Sequence, residues 1–213
     1  MTSALNKPLV PSRTGGAPLF ALNGSVGSLM IKIGAIGLLL VTAPTMAGDF
    51  PLACVYAANE PTAELEPHAG CAARTKGGLQ IATEHLNRMS FVHEGLAAAL
   101  IDNQWRYVKR NGESLRVLTY DNYADDFSEG LTRSLVGNRI AYFDRDFHQV
   151  IPPVYDWGWP FKDGRAMVCL GCKVAERDSE GHRPVIGGKW GFIDKRGREI
   201  ISVSLSEAEA MKQ

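Results

Sequence analysis

The sequence predicts an all-β protein of about three tandem β-hairpin repeats, preceded by a short, mostly irregular or helical N-terminal segment. Two observations lead to this fold class. A Glu-Gly or Asp-Gly step recurs at Gly95, Gly130 and Gly164, which are 35 and 34 residues apart. Short apolar or alternating runs bounded by turn residues fill the intervals, and such runs are typical of strands. A period of this length indicates stacked units that bury their apolar faces against each other.

Three blocks of residues recur in the same order along the chain. The first contains the Glu/Asp-Gly step, the second a strand and its turn, and the third a Tyr-Asp pair. They lie at Val92–Leu96, Phe127–Leu131 and Phe161–Arg165; at Trp105–Gly112, Ile140–Phe147 and Trp190–Gly197; and at Thr119–Asp121 and Val154–Asp156. The second block repeats after 35 and then 50 residues, and the 15 extra residues fall within Cys169–Gly188. We therefore predict a repeat domain over residues 91–203.

Each unit carries the signals of a β-hairpin. In the first unit Asp102-Asn103 separates two apolar runs, and Asn111-Gly112 is the dipeptide favoured in tight hairpin turns, because both positions tolerate positive φ. Lys195–Gly197 supplies the matching turn in the last unit. Pro152-Pro153 ends a strand, since proline cannot donate to a strand ladder. The predicted unit is thus a turn, a hairpin, a strand and a loop.

Residues 1–47 are predicted to be a signal peptide. The apolar run Ile33–Val41 follows Lys32 and precedes a helix-breaking proline and the small residue Ala47, the layout of a secretory signal cleaved after Ala47. Met30 opens a compact signal of ordinary length and is the possible true start. The apolar run is about half of the ~20 residues that a spanning helix needs. We expect a periplasmic or secreted protein with no stable membrane span after cleavage.

The segment 48–90 and the tail 204–213 lie outside the repeat. Residues 48–90 are predicted to be a loop with one short helix, because four apolar residues recur at helical spacing: Leu79, Ala82, Leu86 and Met89. In the tail, Ser206 and Glu209 have the spacing of a capping pair for a terminal helical turn.

Composition excludes one class of partner and indicates no catalytic chemistry. The chain carries 23 basic and 23 acidic side chains, whereas a nucleic-acid-binding protein should show a strong basic excess. Its five histidines share no metal-like spacing, and the sequence contains no nucleophile elbow, phosphate loop or His-Glu-x-x-His motif. We expect a protein that is not an enzyme, binds no nucleic acid and holds no cofactor or metal.

The cysteines form an even set in a chain predicted to reach an oxidising compartment: Cys54, Cys71, Cys169 and Cys172. Four cysteines permit three pairings, and proximity favours Cys54–Cys71 and Cys169–Cys172. The Cys-Leu-Gly-Cys motif has two other interpretations. A redox catalyst needs the motif at the start of a helix, whereas a strand-like run precedes it here. A zinc site would need His182 and a fourth ligand. We expect structural disulfides.

Two further groups of residues could form a site. Trp157 and Trp159 depart from the other units, so we expect them to be exposed and name them as the ligand-binding candidates. The other aromatic residues recur at equivalent places, and most of them are expected to be buried between units. Asp125, Asp126 and Glu129 could suggest a metal site or a catalytic acid pair, but acidic residues between strands are ordinarily solvated, which is what we expect here.

The repeat resembles the WG-repeat family of bacteria, the WG β-repeat proteins. Its unit runs Trp-Gly-hydrophobic-Ile-Asp-x-x-Gly, then Ile-Pro-x-x-Tyr-Asp, then Phe-x-x-Gly. The matching residues are Gly187–Ile201, Val150–Trp157 and Pro160–Gly164, and the resemblance covers residues 91–201. The chain departs from the pattern at Arg106 and Ala141, which replace the Gly of Trp-Gly, and at Phe147, which replaces the turn Gly. The resemblance implies a β-repeat fold and an interaction or scaffold role, with no catalytic residues.

These observations together predict an exported, non-enzymatic repeat protein that binds another protein or a surface polymer of the cell envelope. Two alternatives stay open. One is an envelope enzyme that acts on glycan or peptide. The other is a metal- or redox-responsive module that uses Cys169, Cys172 and His182.

Overall fold

The computed structural model describes residues 50–92, 94–177, 179 and 183–213. The predicted signal peptide, residues 1–47, lies outside the described residues, as do His93 and His182. The described chain contains fifteen strands and two short helices, which confirms the all-β prediction. None of the described helices is long and apolar enough to span a membrane.

Short antiparallel strands follow one another along the whole described chain. The strands are β1 (Leu52–Ala57), β2 (Leu65–Thr75), β3 (Gly78–Ile81), β4 (Ala97–Ile101), β5 (Gln104–Val108), β6 (Ser114–Arg116), β7 (Thr119–Tyr120), β8 (Tyr123–Ala124), β9 (Thr132–Val136), β10 (Arg139–Phe143), β11 (Gln149–Tyr155), β12 (Trp157–Gly158), β13 (Arg165–Val174), β14 (Val185–Asp194) and β15 (Glu199–Leu205). The helices are α1 (Thr83–Arg88) and α2 (Glu207–Ala210).

The repeat unit is a three-stranded antiparallel meander. Unit 1 is β4-β5-β6, unit 2 is β9-β10-β11 and unit 3 is β13-β14-β15. The last two strands of units 2 and 3 share a two-residue register shift. Ile140 pairs with Tyr155 but Tyr142 with Ile151, and the same shift separates the partners of Trp190 and Phe192. The predicted repeat is therefore present as three related sheets.

The N-terminal segment differs from the expectation of a loop with a short helix. Strands β1, β2 and β3 cover most of residues 52–81, and only α1 keeps the predicted helical character. Strand β1 pairs with both β2 and β4, so the segment extends the sheet of unit 1 to six strands in the order β3-β2-β1-β4-β5-β6. The free edge of β4 explains the difference, because its unpaired backbone groups need a partner and β1 provides one.

The strands of unit 1 are buried on both faces, because alternate side chains point in opposite directions. Ala97, Ala99 and Ile101 of β4 join an N-terminal core with residues of β1 and β2. Leu96 and Ala98 join a second core that faces unit 2. A unit of this kind cannot stand alone, since each face needs a neighbour to exclude water.

Two cores fill the junctions between the units. The junction 1–2 core is formed by the buried residues Leu96, Ala98, Trp105, Tyr107, Val117 and Ala124, with Phe127 and Phe147 packed against them. The junction 2–3 core is formed by Leu131, Ile140, Tyr142, Ile151, Tyr155, Phe161, Ala166, Val168 and Ile193. Most of the repeat-equivalent aromatic rings are thus buried in the cores, as expected, whereas Tyr120 is 52% exposed.

The recurrent Glu/Asp-Gly step is a turn with positive φ at both residues. The φ values are 50° and 88° at Glu94-Gly95, and 52° and 88° at Glu129-Gly130. The equivalent step of unit 3, Asp163-Gly164, has φ values of 54° and 75°. Glycine supplies the second value without steric cost, which accounts for the regular spacing seen in the sequence.

Both ends of the array are covered. Strands β1–β3 close the free face of unit 1, and α2 closes that of unit 3, where Ala210 is buried in a terminal core with Trp190 and Phe192. The predicted capping pair begins α2: Ser206 Oγ accepts the Glu209 N–H, and Glu209 Oε2 accepts the Ser206 N–H at 2.8 Å. Capped ends are what a soluble repeat array requires.

Gly158 lies against the side chain of Tyr142, a residue of the junction 2–3 core. The Tyr142 hydroxyl donates to the Trp159 carbonyl at 2.9 Å, which places the phenol ring directly over Gly158. A Cβ at position 158 would overlap Tyr142 Oη and lie 3.2 Å from Cζ. Glycine is therefore required here by a neighbouring side chain and not by backbone conformation.

We expect Gly158→Ala to lower the free energy of unfolding by about 1–3 kcal/mol, because overpacking forces this core apart. Urea denaturation measures the change. The double variant Tyr142→Phe/Gly158→Ala should recover part of the loss, since the overlapping hydroxyl is gone, and Tyr142→Phe alone is the control. A double variant no more stable than Gly158→Ala would contradict the packing argument.

Candidate functional site

A ladder of ion pairs links the turns of neighbouring units. Glu94 in the first Glu-Gly turn pairs with Arg145 of unit 2 at 2.9 Å, and Glu129 in the second pairs with Lys195 of unit 3 at 2.9 Å. Arg145 and Lys195 occupy equivalent positions, three residues after Tyr142 and Phe192. Glu129 also accepts the Gly164 N–H at 3.0 Å, and these bonds lower the pKa of its carboxyl. Glu129 is solvated, as predicted, and it also links the second Glu-Gly turn to unit 3.

A second set of polar side-chain pairs closes the hairpin turn within each unit. The pairs are Lys109–Glu113 at 2.8 Å, Asp144–His148 at 3.4 Å and Asp194–Arg198 at 2.6 Å. They lie four residues apart at equivalent positions, so each pair clamps the two strands that flank the turn.

One of these clamps has the geometry of a metal site. Ligand atoms of Asp144, Asp146 and His148 lie within 4.8 Å of one another. Asp144 Oδ1 accepts the backbone N–H of His148 at 2.8 Å, just as Asp194 Oδ1 accepts that of Arg198 at 2.9 Å. Since the matching turn of unit 3 carries an arginine, turn closure accounts for the cluster without an ion.

A cleft of about 420 Å³ opens where the turns of units 1 and 2 meet; we name it the Phe127 cleft. Its lining residues are Val92, Glu94, Tyr107, Asp126, Phe127 and Arg145. The rings of Tyr107 and Phe127 are 4.9 Å apart, and the Arg145 guanidinium lies 4.8 Å from the Phe127 ring. The cleft thus combines aromatic surface, one cation and two carboxylates.

Val92 lines the Phe127 cleft and is the most exposed of three residues at equivalent repeat positions. Val92, Phe127 and Phe161 occupy equivalent positions in the repeat. Phe161 is buried against Tyr142, Phe127 is half-buried, and Val92 is 73% exposed. Val92 and the half-buried Phe127 ring thus give the cleft exposed apolar surface.

Asp125 is buried, so the expectation that the acidic loop is wholly solvated was wrong at this residue. Its side chain and that of Arg133 are each 1–2% exposed and form a bidentate pair: Arg133 Nε donates to Asp125 Oδ2 at 3.0 Å, and Nη2 donates to Oδ1. The arginine neutralises the carboxylate, which allows it to be buried. Asp126, in contrast, is exposed as predicted.

Arg133 is the residue that sequence reasoning missed. Its Nη1 donates to the Gly158 carbonyl at 2.8 Å, so it joins the loop before unit 2 to the strand before unit 3. Its position in the repeat is that of Ala98 in unit 1 and Met167 in unit 3, both buried. A charged residue at a buried repeat position is the signal that could have found it.

Trp157 and Trp159 are half-buried, not exposed as expected. Their rings meet edge to face at 5.9 Å and pack on the terminal core beside Trp190. Each indole Nε1 is buried and has no hydrogen-bond partner among the described residues. Both rings therefore contribute mainly to packing, and ligand binding by them stays a prediction.

The cysteines are joined in the pairing that proximity favours. Cys54–Cys71 links β1 to β2 with Cα atoms 5.7 Å apart, and Cys169–Cys172 links two residues of β13 with Cα atoms 6.1 Å apart. Cys54, Cys71 and Cys169 are fully buried. A thiolate metal site would need these sulfurs free, and its proposed partner His182 lies outside the described residues.

His85 is a buried histidine in the N-terminal core. Its Nδ1 lies 2.8 Å from the Tyr56 hydroxyl, and His68 stacks on the Tyr56 ring at 4.0 Å. Burial lowers the pKa of His85 below its ordinary value of 6.5, and nearby Glu84 only partly opposes this. The folded protein therefore favours the neutral imidazole.

We expect His85 to make the protein less stable as the pH falls from about 7 to about 5. In that window the unfolded chain takes up a proton that folded His85 resists, so the free energy of unfolding decreases. The His85→Gln variant, which keeps a hydrogen-bonding group toward Tyr56, should show a shallower decrease in urea denaturation over this range. Equal slopes for wild type and variant would contradict the burial of a neutral histidine.

Comparison with known protein families finds a match within the repeat domain. A family model described as WG containing repeat matches residues 141–173, from β10 of unit 2 to β13 of unit 3. No curated protein and no solved structure matches the chain. The matched residues contain the Ile-Pro-x-x-Tyr-Asp and Phe-x-x-Gly blocks, and the observed meanders are the β-repeat fold that the resemblance implied. Residues 141–173 of the chain thus contain a WG repeat.

Proposed function

We propose that the chain is an exported, non-enzymatic scaffold that binds another protein or a surface polymer of the cell envelope through the Phe127 cleft. The composition of the cleft carries this proposal: the half-buried Phe127 ring, a guanidinium stacked on it, and an exposed valine. Aromatic and arginine side chains dominate the binding energy of protein interfaces, and aromatic faces also support binding of neutral polymers.

The ionisable groups of the cleft favour binding over catalysis. Glu94 is engaged by Arg145 at 2.9 Å, so it already has an ion-pair partner within the protein. Burial, and then the charge of Asp126, raises the pKa of Tyr107 above its ordinary value of 10, so the phenol stays protonated at neutral pH. A Tyr107 general base that acts near neutral pH would need its pKa lowered instead, so this tyrosine is suited to contacting a partner.

Export is supported by the cysteines together with the signal-like leader. All four are paired, and both disulfides lie in the buried cores. Disulfides of this kind persist in the periplasm and outside the cell, and are rare where thiols are kept reduced. An array cross-linked by two disulfides is suited to holding a partner in place.

One experiment tests both parts of the proposal. A photo-crosslinking residue replaces Val92 in the full chain, expressed in its native host, and thiols are alkylated before lysis. The matched control places it at Ile186, which is 54% exposed on the β14 arm of unit 3. We expect an adduct at position 92 and none at 186. A discrete added mass indicates a protein partner, and a heterogeneous one indicates a polymer.

The intact mass of the same sample tests export. We expect a mature chain that begins near Gly48, resists alkylation and is four hydrogens lighter than the reduced chain, two for each disulfide. A chain that keeps its N-terminus and alkylates at four cysteines would overturn export. The absence of any adduct at position 92, or identical adducts at 92 and 186, would overturn binding at the cleft.

A further inference from the structure

A second cavity, of about 470 Å³, lies beside the sheet of unit 1 where three turns converge. Arg74 lines it from the β2–β3 hairpin and Asp102 from the β4–β5 turn. Arg106 of β5, Ser114 of β6 and Glu113 of the turn between them also line it. We name it the Arg106 cavity. It shares no lining residue with the Phe127 cleft, so it is an independent feature of the molecule.

Both acidic residues that line the Arg106 cavity already form an ion pair with another basic residue. The Asp102 carboxylate pairs with the Arg74 guanidinium. The Glu113 carboxylate pairs with Lys109 Nζ, which donates to it at 2.8 Å, in the clamp that closes the turn of unit 1. Neither carboxylate is paired with Arg106.

Arg106 is a half-buried cation without a carboxylate partner among the described residues. Its Nη1 makes one long hydrogen bond, to Ser114 Oγ at 3.4 Å, and its Nε is buried with no hydrogen-bond partner in the described chain. A buried donor left unpaired costs free energy, and a buried cation costs more.

The surroundings of Arg106 add positive charge. Arg116 lies directly opposite it in the β5–β6 ladder, and Arg74 lines the same cavity. Burial is the main cause that lowers the pKa of Arg106, and the positive charges of Arg116 and Arg74 lower it further. The neighbours thus intensify the positive potential, and an anion in the cavity would relieve it.

We propose that the Arg106 cavity binds an oxyanion, namely a carboxylate or phosphate group. A guanidinium presents a fork of N–H donors that matches the two oxygens of either group, and such bonds are stronger than neutral ones. The cavity has room for a small acid or for one anionic group of a larger chain. Arg106 is the residue that contacts the anion, and Arg116 raises the potential beside it.

The test is a titration of the full chain with inorganic phosphate and, separately, with acetate, at ionic strength kept constant with sodium chloride. The ¹⁵N–¹H correlation of Arg106 Nε reports binding at the proposed residue. We expect a saturable shift with at least one of the two anions, and the anion that produces it tells phosphate from carboxylate recognition. Arg106→Gln should raise the dissociation constant about tenfold or more, as measured by the remaining shifts of the cavity backbone.

The matched control is Arg139→Gln, which removes a half-exposed arginine outside the cavity and should leave the dissociation constant unchanged. Without anion, Arg106→Gln should be at least as stable as wild type to urea, because it removes an unpaired cation, and only wild type should gain stability from the anion. If Arg106→Gln fails to fold, Arg116→Gln provides the same comparison with a smaller loss of affinity. Equal affinity in all variants, or an equal Arg106 shift with chloride, would overturn the proposal.

Discussion

The buried pair of Asp125 and Arg133 is the interaction on which the stacking of this repeat depends. The two side chains sit where an apolar array would place small or hydrophobic residues, and each is nearly inaccessible to water. Arg133 reaches forward to the Gly158 carbonyl, while its own backbone carbonyl accepts the Leu118 N–H at 3.0 Å. One residue of the middle unit thereby fixes the connections that lead into it and out of it. Burial of both charges is tolerable only because they satisfy each other.

The stacking of the units determines where binding surfaces can form. Each unit uses both strand faces for stacking, so ligands are left with the turns and the edges. The Phe127 cleft lies along the row of Glu/Asp-Gly turns, and the Arg106 cavity lies where the added strands β2 and β3 meet the turns of unit 1. The same N-terminal strands that close the array thus build a feature that the repeat alone would lack.

The repeat itself was predictable, since hairpin dipeptides and turn glycines are local signals that survive in each unit. The cysteine pairing followed from proximity and the α2 cap from a Ser-x-x-Glu spacing. Strands β1–β3 were not predictable, because their formation depends on the unpaired edge of β4, a non-local requirement. The burial of Asp125 could not be predicted for the same reason. Its partner Arg133 lies eight residues away, and the only sign of it in the sequence is a charged residue at a repeat position that is otherwise buried. Trp157 and Trp159 were expected to be exposed, but they are half-buried because they pack against the terminal core.

The most direct measurement is a double-mutant cycle on the Asp125–Arg133 pair, read by urea denaturation. Asp125→Asn and Arg133→Met should each lower the free energy of unfolding by about 3–5 kcal/mol, because each leaves a buried charge unpaired. The double variant should lose clearly less than the sum, since methionine is the residue that unit 3 carries at this position. If a single variant does not fold, a double variant that folds demonstrates the same coupling between the two residues. Additive losses, or single losses below about 1 kcal/mol, would contradict this account. The pair would then contribute no more to stability than an exposed ion pair does.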